Sequence, residues 1–380
     1  MKRVLITGAR APAALELIRR LAIAGYIVYA ADSVHFPLSR ASRYLTNYFL
    51  LPEPIKNAAI FAEKLAEIIQ QHGIDILIPT CEEVFFISRY RNQLAQHSRV
   101  FCTDFPLLRQ LHDKYQFTQL AAQCQMPVPT TIQLTSQTQL MTLSAQANAY
   151  VFKPVFSRFA AHTLIRPSLE KLGKIQPSAM MPWVAQTYIA GQEYCTYSIA
   201  VNGVLQAHVT YLPRYRVGLG SSIYFQSVQH PRIYAAIAQL VHSCNYTGQI
   251  GFDCIENTDG EIFFLECNPR ATSGIHCLPQ ETDWSALFLG AAKPFINTGP
   301  SRMISAAMLL FAAKYVFSKE GWQFLKDFYT TQDVISNKQD KYPALYQICS
   351  LAEIIGRALR HGVSLKDAAT ADIEWNGQAL

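Results

Sequence analysis

The segment Gly251-Phe252-Asp253-Cys254-Ile255-Glu256-Asn257-Thr258-Asp259-Gly260-Glu261-Ile262-Phe263-Phe264-Leu265-Glu266-Cys267-Asn268-Pro269-Arg270 reads as a β-hairpin with acids where a core should be. Asp259-Gly260 is a turn signal, and the runs Ile250 to Ile255 and Ile262 to Cys267 are apolar on both pleat faces, as buried strands are. A two-residue turn predicts Thr258 opposite Glu261 and Asp253 opposite Glu266. A four-residue loop still leaves both acids, with Asn268, on one face; a three-residue loop breaks the arrangement. Carboxylates about 5 Å apart at Cβ in apolar surroundings need a cation between them or a shared proton. The ligands offered are all oxygens, which suits magnesium. In the competing reading one acid faces water at a sheet edge and the pair never meets.

With 380 residues, half of them hydrophobic, the chain is long enough for two or three domains around a sizeable core. Its net charge of +6 is modest and its basic residues are scattered, which argues against a nucleic-acid interface and is compatible with an anionic substrate such as a nucleotide. The nine cysteines show no CxxC pair or zinc spacing and read as reduced thiols of a cytoplasmic protein. Strand-like Val4-Leu5-Ile6 comes too early for a signal peptide, and no uncharged apolar run approaches the ~20 residues that span a bilayer, so no membrane partner is expected.

The first 110 residues alternate strand and helix: Arg3 to Thr7, Ala13 to Ala24, Ile27 to Ala31, Ile60 to Gln71 and Ile74 to Pro79. This pattern predicts a parallel α/β, Rossmann-like sheet with ligand contacts at its strand ends. A nicotinamide cofactor is disfavoured, because Gly8-Ala9-Arg10-Ala11-Pro12 has one glycine where the dinucleotide fingerprint has three. Glu82 and Glu83, at a strand end, either face a pocket or simply open the next helix. Lys114 begins a helical run to Gln123, against the helix dipole. Lys153 lies in apolar Tyr150-Val151-Phe152-Lys153-Pro154-Val155-Phe156, where an ammonium requires a nearby anion. Further on, Pro213 to Ser222 combines Arg214 and Arg216 with Gly218, Gly220, Ser221 and Ser222, a composition suited to an anion or to a solvated hairpin tip.

Asp253, Glu266, Asn268 and Arg270, taken with His112-Asp113-Lys114, Val151-Phe152-Lys153-Pro154 and Gln186-Thr187-Tyr188-Ile189-Ala190-Gly191-Gln192-Glu193, resemble the ATP-grasp superfamily in content and order. The likeness covers roughly residues 110 to 280 and is strongest to proteins related to the carbamoyl-phosphate synthase large chain and biotin carboxylase. It implies an N-terminal α/β domain (1–110), an ATP-grasp fold of two α+β subdomains clamping ATP (111–185 and 186–298) and, beyond the motifs, a helical C-terminal appendage (299–380). Asp253, Glu266 and Asn268 would then hold magnesium, with manganese as an alternative. Lys114 and Lys153 would meet phosphates, the backbone of Tyr188 and Ile189 the adenine, the Gln186 side-chain oxygen the adenine amino group, and Glu193 the ribose. Arg270, Arg216 and Arg214 would steady the transferred phosphoryl group. The family's glycine-containing lid falls on Ser157 to Thr163, which has no glycine.

The resemblance implies a ligase that activates a small-molecule carboxylate as an acylphosphate for attack by an amine or thiol. An ATP-grasp kinase and a non-catalytic ATP sensor are the alternatives. Residues 300 to 380 carry no chemical motif; they cover the core, shape the pocket or dock a second subunit, so a homo-oligomer is open.

Overall fold

The computed structural model describes residues 1–157, 162–217, 220–279, 281–291, 299–311 and 313–378. Five parallel strands, β1 (Arg3–Thr7), β2 (Ile27–Asp32), β3 (Asn47–Leu50), β4 (Ile76–Ile78) and β5 (Arg99–Val100), form the first sheet in the order β3-β2-β1-β4-β5. The crossovers follow the sequence pattern. Helix Pro12–Ile23 starts on a proline that needs no amide partner, and helix Ala58–His72 is capped by the Asn57 side chain. β3 and β5 escape periodicity analysis because both are short strands at the edges of the sheet.

A second, antiparallel sheet joins β6 (Thr131–Leu134), β7 (Tyr150–Pro154), β8 (Leu164–Ile165) and β9 (Trp183–Thr187) in the order β6-β9-β7-β8. It closes on a small core of its own that includes Leu134, Phe152 and Trp183. The largest sheet contains β10 (Gln192–Val201), β11 (Val204–Pro213), β14 (Tyr224–Val228), β15 (Gly248–Glu256), β16 (Ile262–Asn268), β17 (Arg302–Met303) and β18 (Gln332–Asp333), ordered β16-β15-β10-β11-β14-β17-β18. Between β11 and β14, the two-residue strands β12 (Arg216–Val217) and β13 (Ser221–Ser222) pair as a separate hairpin. One face of the large sheet shares a core with helix Pro231–Ser243, through Ile233, Ile237 and Leu240 against Phe252 and Phe264. The other packs Tyr197, Val209 and Phe225 with Leu17, Ile18 and Leu21 of helix Pro12–Ile23, so the N-terminal layer is seated on it.

The acidic hairpin departs from its predicted turn. Asn257 N–H donates to Glu261 O at 2.9 Å, leaving a three-residue loop, Thr258-Asp259-Gly260, with Gly260 in the left-handed region at φ 77°. This is the turn geometry that ends in a residue of positive φ, which glycine adopts at little cost. Alone it would displace Glu266 from Asp253. The ladder instead shifts: Cys254 pairs with Phe264 and Asp253 with Glu266, so Leu265 is an extra residue that bulges out of β16. Two irregularities cancel, and the acids meet.

The region beyond residue 299 is not helical alone. Besides helices Ser305–Phe311, Gly321–Thr330 and Tyr342–His361 it supplies β17 and β18 to the sheet edge. Its last segment returns to the N-terminal layer. Asp372 accepts from both terminal nitrogens of Arg10, at 2.6 and 2.7 Å, and Trp375 is buried against Phe85, Phe105 and Phe156. No helix among the described residues is long and apolar enough to cross a membrane, and the nine cysteines are free thiols.

Candidate functional site

Asp113 caps helix Lys114–Gln123 by accepting from the Tyr115 and Gln116 amides, and this cap turns Lys114 inward. Although only 4% exposed, the Lys114 ammonium is satisfied: it donates to Ser157 O and Oγ, both at 3.1 Å, and to Val155 O at 3.4 Å. It also lies 3.7 Å from Glu266 Oε2. Lys153, on β7, is 9% exposed and donates to Gln186 Oε1 on β9 at 3.0 Å. Burial pulls its ammonium below the ordinary lysine value, with Glu266 opposing the shift. The anion that apolar surroundings demanded for Lys153 is thus, within the protein itself, the acid pair across the cleft.

Asp253 and Glu266 share one face of the β15–β16 ladder, as paired residues do. Burial, with Glu266 beside it, pushes the Asp253 carboxyl up to about 7. Glu266 feels the same burial, but Lys114 and Lys153 outweigh it and hold that carboxyl below its ordinary value. The pair therefore divides into a proton-holding acid and an ionised one, the shared-proton state that two adjacent carboxyls adopt without a cation. Asn268 joins them: its amide nitrogen donates to Asp253 Oδ2 at 3.3 Å and its oxygen accepts from Arg270 at 3.0 Å. No cluster of three or more His, Cys, Asp or Glu side chains is arranged to hold a metal among the described residues. Two carboxylates and an amide fit magnesium, which takes its remaining positions from water and phosphate oxygens.

Gln186 is tied into the protein on both sides of its amide. Its oxygen is engaged by Lys153, and its nitrogen donates to Thr131 Oγ1 at 3.3 Å and to the carbonyl of bulged Leu265 at 3.4 Å. Lys153 takes one of the two lone pairs of the oxygen expected to meet an adenine amino group, leaving the other. The Tyr188 amide donates to Ala149 O at 2.8 Å. Beyond it the chain crosses the edge of the large sheet at Gly191, where a Cβ would collide with the Glu256 carbonyl. Glu193 follows on β10, ion-paired with Arg216.

The three arginines are not free charges. Arg214 lies 3.4 Å from Asp327 of helix Gly321–Thr330, Arg216 pairs with Glu193, and Arg270 Nε lies 3.7 Å from Glu82. Glu82 is fully buried and carries the N-terminal layer to the site. Glu83 opens helix Glu83–Arg89 but folds back, accepting from Thr7 Oγ1 at 2.7 Å and Thr80 N at 3.0 Å, and burial raises its carboxyl. Glu83 thus opens its helix, while Glu82, at the cap position before it, reaches Arg270. Residues 158–161 of the lid segment, and Gly218 and Leu219 of the arginine loop, lie outside the described residues.

Sequence reasoning missed several neighbours. Ser157 holds Lys114, Thr131 orients Gln186, Asp327 meets Arg214, and the Cys195 thiol bonds to Asp253. Cys195 pairs with Asp253, 58 positions further along the chain, across β10 and β15, and no local pattern announces that register.

Residues 111–274 match the family model of the ATP-grasp domain. No curated protein matches the chain in sequence. Among solved structures, N5-carboxyaminoimidazole synthetase from Staphylococcus aureus complexed with ADP superposes with a TM-score of 0.62 at 10% identity, over 83% of this chain and 85% of the other. Biotin carboxylase from Campylobacter jejuni in a β,γ-ATP complex gives 0.61 at 12%, over 79% and 74%. L-amino acid ligase from Bacillus licheniformis gives 0.61 at 14%, over 79% and 78%. At such identities the likeness is one of fold. The shared fold extends beyond residues 111–274, the stretch that matches the ATP-grasp domain, into the flanking layers.

Proposed function

We propose that the protein is an ATP-dependent ligase that activates a substrate carboxylate as an acylphosphate for attack by an amine or thiol, releasing ADP and phosphate. One observation carries the reading: two buried ammonium groups, Lys114 and Lys153, converge on the paired carboxyls of Asp253 and Glu266. The lysines complement a polyphosphate, and the acids complement a divalent cation. Asp253, Glu266 and Asn268 would hold magnesium, which supplies charge neutralisation at the phosphate oxygens. Since the Tyr188 amide is committed, the adenine donor falls to Ile189 and the acceptor to the Tyr188 carbonyl. Glu193 accepts from the ribose hydroxyls once it shares or releases Arg216.

The substrate carboxylate oxygen attacks the terminal phosphorus in line, the bond to the ADP oxygen breaks, and the acylphosphate forms. The amine or thiol then adds to the acyl carbon and phosphate departs. Arg270, with Arg216 and Arg214, stabilises the transferring phosphoryl group and the tetrahedral species. Product analysis against pools of carboxylic acids, amines and thiols tests the proposal. ADP and phosphate release that depends on both acid and acceptor is expected. ADP without free phosphate identifies a kinase instead, and nucleotide binding without turnover identifies a sensor.

A further inference from the structure

Helix Tyr342–His361 packs one side on the N-terminal layer and leaves the other bare. Two of its charged residues are used inward, while Arg360 is exposed in its last turn: Glu353 accepts from the His35 and Phe36 amides at 2.9 and 2.8 Å, and Arg357 lies 3.2 Å from Asp372. Every exposed residue from Tyr342 to Leu359 is uncharged. Leu345, Ile348, Ile355 and Leu359 are 67%, 73%, 40% and 79% exposed, and Ala352 is exposed between them. The spacing 345, 348, 352, 355, 359 is the alternating three- and four-residue repeat of a coiled-coil seam, carried on the surface with no helix opposite it among the described residues.

The seam has a further property. Read outward from Ala352, it presents isoleucine and then leucine in both directions: Ile348 and Leu345 toward one end, Ile355 and Leu359 toward the other. A surface nearly symmetric about its own centre matches a copy of itself across a two-fold axis, as an isologous contact requires. The middle is also shallow. Ala352 and Gly356, with nothing within 4 Å of a Cβ at Gly356, let a second helix approach closely. The four aliphatic side chains lie bare along one continuous stripe, and a contiguous apolar stripe of this kind is characteristic of an interaction surface.

We propose that this helix is the interface of a homodimer, with the two copies crossing at Ala352. The inference rests on the helix and its surroundings alone, independently of the nucleotide reading. The full-length protein is expected to sediment as a dimer at micromolar concentration. Ile348→Glu and Leu359→Glu bury a charge in the seam and should weaken the dimer by on the order of 100-fold or more, while leaving far-UV circular dichroism and the melting profile of the monomer unchanged, because both side chains are exposed in the single chain. Ala352→Cys in a Cys349→Ser background places a thiol on the axis in either sense of pairing, and mild oxidation should then give a covalent dimer. A wild-type protein that stays monomeric at about 100 µM overturns the proposal. So does a dimer that survives both glutamate substitutions, an Ala352→Cys variant that does not cross-link, or a monomer that uses this face to float with lipid vesicles.

Discussion

The Lys153 ammonium donates to the Gln186 side-chain oxygen at 3.0 Å, tying β7 to β9 in the interior of the small sheet. Gln186 is in turn bound to the Leu265 carbonyl, so the lysine, the amide and the acidic hairpin form one connected unit. Because the charge is assigned to phosphate and the backbone to adenine, Lys153→Met should weaken ATP by about 10- to 100-fold and adenosine by less than about twofold. Titration calorimetry with both ligands checks this, and equal losses would show that Lys153 only orders Gln186.

Asp253 gives the site a pH signature. Its folded value of about 7 stands above its unfolded value near 3.9, so the folded chain holds a proton that the unfolded chain has lost. Its stabilising contribution is complete at low pH and is lost as pH rises from about 4 through about 7. In metal-free protein, Asp253→Asn should therefore gain thermal stability relative to wild type between pH 5 and pH 8. Magnesium should raise the melting temperature of the wild type and leave the variant nearly unmoved. A melting difference that is the same at both pH values and indifferent to magnesium would remove the metal assignment.

Arg270 touches both Asn268 and, at 3.7 Å, Glu82, and the proposed reaction assigns it to the transferring group. A planar fork is not replaced by an ammonium, so Arg270→Lys should lower kcat and kcat/KM together by roughly 100-fold with nucleotide affinity nearly unchanged. Arg216→Lys should mix that pattern with a rise in KM, since Arg216 also holds Glu193. Steady-state kinetics separate the two; unaltered kcat in both variants would place the acceptor elsewhere.

His208 governs acid stability. It is buried between Ser198 Oγ and Thr210 Oγ1, each at 2.9 Å, and burial lowers its ring to about 3. The unfolded imidazole takes up its proton near 6.5. Stability from this residue is complete above pH 6.5 and is lost as pH falls toward about 3, by up to about 1.4 kcal/mol per pH unit. Urea unfolding between pH 4 and pH 6 should show a shallower pH dependence, by about one proton, for His208→Gln than for the wild type.

Trp375 closes the C-terminal segment over Phe85, Phe105 and Phe156, the last of these two residues beyond β7. Trp375→Ala should cost about 3–5 kcal/mol in urea unfolding, and Trp375→Phe distinctly less, because a smaller ring still fills much of the space. A loss under about 1 kcal/mol for Trp375→Ala would mean that the segment is held by the Arg10–Asp372 pair instead.

What the sequence determined by itself was local or compositional. The first two strands, the long crossover helices and the identity of Asp253, Glu266, Lys114 and Lys153 as unusual charges follow from periodicity and the cost of burying ions. What only the tertiary structure decided was register and partnership. The Asp259-Gly260 turn is one residue longer than its signal suggests, and Asp253 faces Glu266 only because Leu265 bulges where Gln186 of another sheet binds its carbonyl. Arg214 finds Asp327, Arg10 finds Asp372 and Trp375 finds Phe156 across more than 100 residues of chain. Short-range rules fix the conformation of a few neighbouring residues, whereas a contact between distant side chains exists only after the layers have packed, and its geometry belongs to the packing.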